Sequence, residues 1–100
     1  MAKEVILTPT AEANYENITD YLLAEWGVII VNNFVDRFDQ VTTMLSKDPG
    51  RFPLVDRNNR IQRCILTKHN IIYFTETEHN IKILTIFDTR QDPTKLNTFF

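Results

Sequence analysis

The chain predicts an α+β fold in which a pair of helices covers one face of a sheet. Two patterns carry that expectation: apolar residues recur at helical spacing through residues 9–46, and β-prone runs of shorter period fill residues 61–87. The supply of apolar material agrees, since 43% hydrophobic side chains in 100 residues suit one folded domain over 1–100 and leave no length for a second.

Lys3-Glu4-Val5-Ile6-Leu7 is a short β-prone run, stopped where Thr8 suits a helix N-cap and Pro9 the first helical position. Ala11, Tyr15, Ile18 and Leu22 then fall on one helical face, with Glu12, Glu16, Asp20 and Glu25 elsewhere, until Gly27 ends the helix. Val31, Phe34, Val35, Phe38, Val41 and Leu45 repeat at the same spacing, and Asp48-Pro49-Gly50 breaks it. So short a connection makes the two helices an antiparallel hairpin.

Residues 50–58 read as an irregular crossing loop, with Pro53 barring regular structure. Ile61, Arg63, Ile65 and Thr67 then alternate with Gln62, Cys64 and Leu66, and Ile71 to Thr75 and Ile81 to Phe87 add two more strands. The prediction is thus an N-terminal strand, a helix hairpin and a three-stranded antiparallel meander in two layers, the arginines on the sheet face away from the helices. Residues 94–100 form a short helix or lie extended. Tyr15, Tyr21, Tyr73 and the helix phenylalanines sit at core spacing. The run Trp26-Gly27-Val28-Ile29-Ile30-Val31 holds more apolar residues than one buried stripe uses, and Phe99-Phe100 is likewise suited to the core or an interface.

Composition excludes several classes of function. A single cysteine, Cys64, allows no internal disulfide and implies a reducing, cytoplasmic setting. No secretory or membrane-spanning apolar stretch is present. His69 and His79 lack metal-ligand spacing, and Gly27 and Gly50 make no phosphate loop, so neither a metal nor a cofactor is expected. Cys64 on a strand reads as a small core residue.

Charge is the informative feature. Residues 1–46 hold two bases against seven acids, whereas residues 47–69 hold six bases against two acids. Arg51, Arg57, Arg60, Arg63 and Lys68 are therefore concentrated, and the meander topology brings Lys68 towards Arg90. Such a set can grip phosphates, meet an acidic protein surface or stand as a solvated basic face. The net charge of −2 argues against a generic nucleic-acid binder.

Ile18-Thr19-Asp20-Tyr21-Leu22, Trp26-Gly27, Asp48-Pro49-Gly50-Arg51-Phe52-Pro53, Ile61-Gln62-Arg63, Lys68-His69-Asn70-Ile71-Ile72-Tyr73 and Ile83 to Pro93 resemble, in order and spacing, the RelE/ParE toxin superfamily of bacterial type II toxin–antitoxin systems. The resemblance runs from about residue 3 to 96. It implies a growth-inhibiting toxin held by a cognate antitoxin in a hetero-oligomer. RelE-like members cut messenger RNA on the ribosome, while ParE-like members poison DNA gyrase. For a ribonuclease the resemblance points to Arg63, Arg90 and Lys68 as catalytic; for target or antitoxin binding it points to Arg51, Arg60, Arg63, Lys68 and Arg90. Asn70, however, stands where the nucleases place an arginine, and Leu96 near their tyrosine. Neither supplies the fixed charge or the proton relay of cleavage, so gyrase inhibition leads, with message cleavage and an inactive binding relative as alternatives.

Overall fold

The computed structural model describes residues 2–90. Strand β1 (Glu4–Leu7) leads into helix α1 (Pro9–Trp26) and helix α2 (Val28–Lys47), followed by a 3-10 turn over Pro49–Arg51 and strands β2 (Leu54–Asp56), β3 (Ile61–Thr67), β4 (Asn70–Glu76) and β5 (Asn80–Asp88). The strands form one sheet in the order β1-β5-β4-β3-β2. Strands β3, β4 and β5 are the expected antiparallel meander, and β1 pairs parallel with β5, which makes the sheet mixed.

Thr8 starts α1 as its residue type suggests. Its hydroxyl accepts from the Ala11 amide at 3.1 Å and donates to the Leu84 carbonyl at 2.8 Å, while Pro9 needs no partner for a missing N–H. Gly27 alone separates the helices, with φ of 91°, and its amide bonds to the Leu22 and Leu23 carbonyls. A side chain there would be strained. The chain reverses at that point, so Tyr15 meets the rings of Phe34 and Phe38 at 5.7 and 4.8 Å.

Phe34, Phe38, Val41 and Leu45 of α2 pack on Leu66, Ile72, Phe74 and Ile83 of the sheet, and this layer is the main core. The far face differs from expectation. Arg63 does lie there, being paired with Tyr73, but it borders a second buried cluster of Ile61, Tyr73 and Phe87 rather than an arginine face. The reason is legible in Ile71–Phe74, Ile83-Leu84 and Ile86-Phe87, which are apolar at consecutive positions and so supply both faces.

Residues 50–58 are not an irregular loop: they contain the end of the 3-10 turn and edge strand β2, paired with Gln62 and Ile61. Pro53 cannot donate, yet its carbonyl accepts from the Arg63 amide at 3.1 Å, which an edge position allows. Gln62 anchors this segment, since its buried side-chain amide donates to the carbonyls of Pro49 at 2.7 Å and Phe52 at 3.0 Å. The expectations for residues 94–100, including Leu96, Phe99 and Phe100, lie outside the described residues. No described helix is long and apolar enough to cross a membrane.

Thr8→Ala removes both the side-chain cap and the hydroxyl's bond to Leu84 of β5. Urea denaturation of this variant is expected to give a loss of about 1–2 kcal/mol, the size of one lost cap in a partly buried setting.

Candidate functional site

The β3–β4 turn and the end of β5 meet beneath the helix pair. The Thr89 amide donates to the His69 carbonyl at 2.8 Å, which joins the two segments. Between them and the helices runs an open cleft of about 810 Å3, walled by Tyr21, Trp26, Arg37, His69, Asn70 and Arg90 among others. Arg37 holds α2 over the sheet by donating from Nε to the Leu66 carbonyl at 2.8 Å. Asn14, from α1, accepts the Thr85 hydroxyl at 2.7 Å and the Ile86 amide at 3.1 Å on one side-chain oxygen.

Two potential functional groups in the cleft are already engaged. The Asn70 side chain is buried, and its Oδ1 accepts from the Thr67 hydroxyl at 2.8 Å, so it braces the turn. Arg90 grips Asp88 with a fork, Nε to Oδ1 at 3.0 Å and Nη2 to Oδ2 at 2.8 Å, while its backbone amide donates to Oδ1 at 2.9 Å. Hydrogen bonding from the Arg90 side chain holds the Asp88 carboxyl below the usual carboxylate range, and the pairing raises the guanidinium in turn. Elsewhere, burial pushes the Cys64 thiol up, which suits packing and opposes nucleophilic chemistry. Burial, with Asp39 nearby, likewise raises the Tyr15 hydroxyl.

The basic residues singled out in the sequence are not gathered into one site. Lys68, in the β3–β4 turn, is joined through that turn to the segment bearing Arg90. Arg60 sits at the opposite end of β3, about 25 Å away along the strand. Arg63 lies between them on the far face, and Arg51 on the 3-10 turn covers the Phe52 ring with its guanidinium at 5.8 Å from the centroid. Arg51, Arg60, Arg63 and Lys68 make no ion pair among the described residues, where Lys3–Glu76 and Arg90–Asp88 are the pairs formed. Arg60 also adopts φ of 55°, a backbone state that glycine or asparagine holds at lower cost.

Helical spacing placed Tyr21 in the core, but it is 50% exposed and faces the cleft. It lies next to Leu22 at the margin of the buried stripe, and only the open packing at this end of the hairpin distinguishes it from Ile18. Arg37 and Asp88 were missed. Arg37 is the one base between Glu4 and Ser46, and Asp88 precedes Arg90 by two residues, a spacing that fits a fork across a tight turn. Among the described residues no cluster of His, Cys, Asp and Glu is arranged to hold a metal ion.

The family model described as the ParE toxin of the type II toxin–antitoxin system, parDE, matches residues 5–93. Among solved structures, a chromosomal ParDE toxin–antitoxin system from P. aeruginosa is similar with a TM-score of 0.72 at 16% identity, over 87% of this chain and 96% of that one. A YoeB dimer from Staphylococcus aureus is similar at 0.62 and 10% identity, over 87% and 97% of the two chains. The YoeB–YefM complex from Staphylococcus aureus gives 0.60 at 12% identity, over the same shares of 87% and 97%. At these identities the likeness is one of fold. No curated protein matches the chain.

The Asp88–Arg90 fork has a defined pH response. Because the folded carboxyl is depressed, the fork contributes fully above the free-carboxylate pKa, near 3.9, and is lost as pH falls through the lower folded value. NMR titration is expected to find Asp88 titrating below the usual aspartate range, and Arg90→Ala to move it upward towards that range. An Asp88 midpoint unmoved by Arg90→Ala contradicts the assignment.

Proposed function

The chain belongs to the ParE toxin family of type II toxin–antitoxin systems, and from that membership we propose that it is a cytoplasmic growth inhibitor that acts by blocking DNA gyrase and is neutralised by a cognate antitoxin. The observation that carries the choice of target is the state of Asn70. Cleavage of RNA needs fixed positive charge on the phosphate and a group that moves a proton. At the position where the superfamily's nucleases carry an arginine, this chain has a neutral amide turned inward on Thr67. The neighbouring cation, Arg90, is neutralised by Asp88. A cleft built this way can bind, but its Asn70 amide and its Arg90 guanidinium are spent on holding the turn.

The exposed bases on and around β3 suit the antitoxin or the target. Arg51, Arg60, Arg63 and Lys68 are exposed and form no ion pair among the described residues, so a partner that brings carboxylates meets them without breaking internal pairs. Arg60 retains a guanidinium at a left-handed backbone position, a cost that a binding role would offset. With Arg90 at the cleft, these residues form the proposed target- and antitoxin-binding set, and the complex is a hetero-oligomer.

Induced expression of the chain alone, read beside a supercoiling reaction with purified gyrase and a ribosome-programmed message-cleavage reaction, tests this reading. Growth arrest with supercoiling blocked and message intact is expected. Cut message with normal supercoiling overturns the gyrase target and makes Arg63, Lys68 and Arg90 catalytic candidates. Absence of any arrest leaves a binding module without toxicity. Arg60→Glu with Arg63→Glu is expected to weaken antitoxin binding at least tenfold by calorimetry, as loss of close charge pairs does.

A further inference from the structure

The cleft between the helix pair and the β3–β4 turn has a volume of about 810 Å3, within the ~300–1,000 Å3 of small-molecule sites. Its helix side is apolar, with Ile18 and Leu22 of α1 and Ile30 of α2 beside the exposed rings of Tyr21 and Trp26. A wall of this kind takes a flat aromatic body.

The polar groups of the cleft that the fold leaves unused are mostly donors. Asn14 accepts from Thr85 and Ile86 on its side-chain oxygen, and Asn70 accepts from Thr67, so each carboxamide has its oxygen occupied and its amine unpaired among the described residues. Neither amine is sealed in the core, because among the described residues no buried side-chain nitrogen or oxygen lacks a partner. The cleft is the space that both residues border. Arg37 and Arg90 each donate from Nε and Nη2 and keep Nη1 unpaired. Asp88, the one acid among the described residues of the cleft wall, has both oxygens held by Arg90. A ligand that fits therefore brings acceptors.

Charge and shape narrow its class. Two arginines and one aspartate line the cleft, a net charge of +1 with His69 counted neutral. A monoanion matches that charge, whereas a phosphate dianion exceeds it and is repelled by Asp88. The flat edges of a guanidinium and a carboxamide suit a planar carboxylate. Asn70 stands opposite Asp88 in the β4–β5 register, and the Thr89–His69 bond holds the Arg90 segment against the same turn. We propose that the cleft is a small-molecule site for an aromatic carboxylate, whose ring lies on the helix wall and whose oxygens accept from the Asn70 amine and the Arg90 Nη1. The inference goes beyond the toxin reading and does not depend on the gyrase target.

The test titrates the full chain with naphthoate, its neutral isostere naphthamide, and naphthyl phosphate, followed by heteronuclear NMR of the asparagine side-chain amides and the Trp26 indole. Naphthoate is expected to shift the Asn14 and Asn70 amides and the indole together. Naphthamide is expected to bind about tenfold more weakly, as loss of charge-assisted hydrogen bonds does. Naphthyl phosphate binds less tightly than naphthoate to the natural chain, and Asp88→Asn, which removes the repulsion, reverses that order. Arg90→Ala, at an exposed position, is expected to weaken naphthoate at least tenfold, with circular dichroism as the check that the fold persists. Equal affinity for naphthoate and naphthamide, shifts at Trp26 without shifts at Asn70, or no saturable shift at millimolar naphthoate overturns the proposal. Growth arrest and supercoiling are read without these probes, so failure of the toxin reading is seen separately.

Discussion

The structure depends on how the second edge of β5 is satisfied. One edge pairs with β4 along its length, while on the other β1 runs only from Asn80 to Ile83. Beyond β1, the α1 segment takes over: the Thr8 amide bonds to the Ile83 carbonyl at 3.0 Å, the Thr8 hydroxyl to the Leu84 carbonyl, and Asn14 to Thr85 and Ile86. Unsatisfied backbone groups at a buried strand cost about 1–3 kcal/mol each, so this sequence of bonds both permits a long central strand and fixes α1 across it. Ile81 and Ile83 can therefore be wholly buried beneath the helices.

That arrangement sets the character of the cleft. Once α1 is tied to β5 and Arg37 ties α2 to β3, the end of the sheet under Trp26 and Ile30 stays open, bounded by the β3–β4 turn. The polar groups at the turn are used to close it: Thr67 on Asn70, Thr89 on His69, and Arg90 on Asp88. Fixed in this way, the Asn70 amide and the Arg90 guanidinium are held at the turn. Among the described residues, Arg51, Arg60, Arg63 and Lys68, which form no ion pair, lie on and around β3, while Glu12, Glu16, Asp20 and Glu25 lie on α1 without an ion pair.

Most of the architecture was legible because local and global signals agree. Thr8-Pro9, Gly27 and Asp48-Pro49-Gly50 mark boundaries by backbone chemistry, and the apolar periods of α1 and α2 match their buried faces. Strand β2 was hidden because three residues after a proline carry almost no periodicity; the pairing is stabilised by long-range bonds of Arg63 and Gln62. The parallel partner of β1 was equally invisible, being decided by the helix hairpin's return path. At the candidate site, clustered charge in sequence suggested one basic surface, but β3 spreads it from end to end. Asn70 was noticed as a departure from the nuclease pattern, whereas its inward hydrogen bond is a tertiary fact.

Native-state hydrogen exchange tests the central role of β5 most directly. If both of its edges are closed as described, the amides from Ile81 to Ile86 exchange only through global unfolding, while those of Leu54 to Asp56 exchange through local opening. Protection across Ile81–Ile86 equal to the global stability, and falling with it in Thr8→Ala, is the predicted result. Exchange in β5 as fast as in β2 would contradict the account.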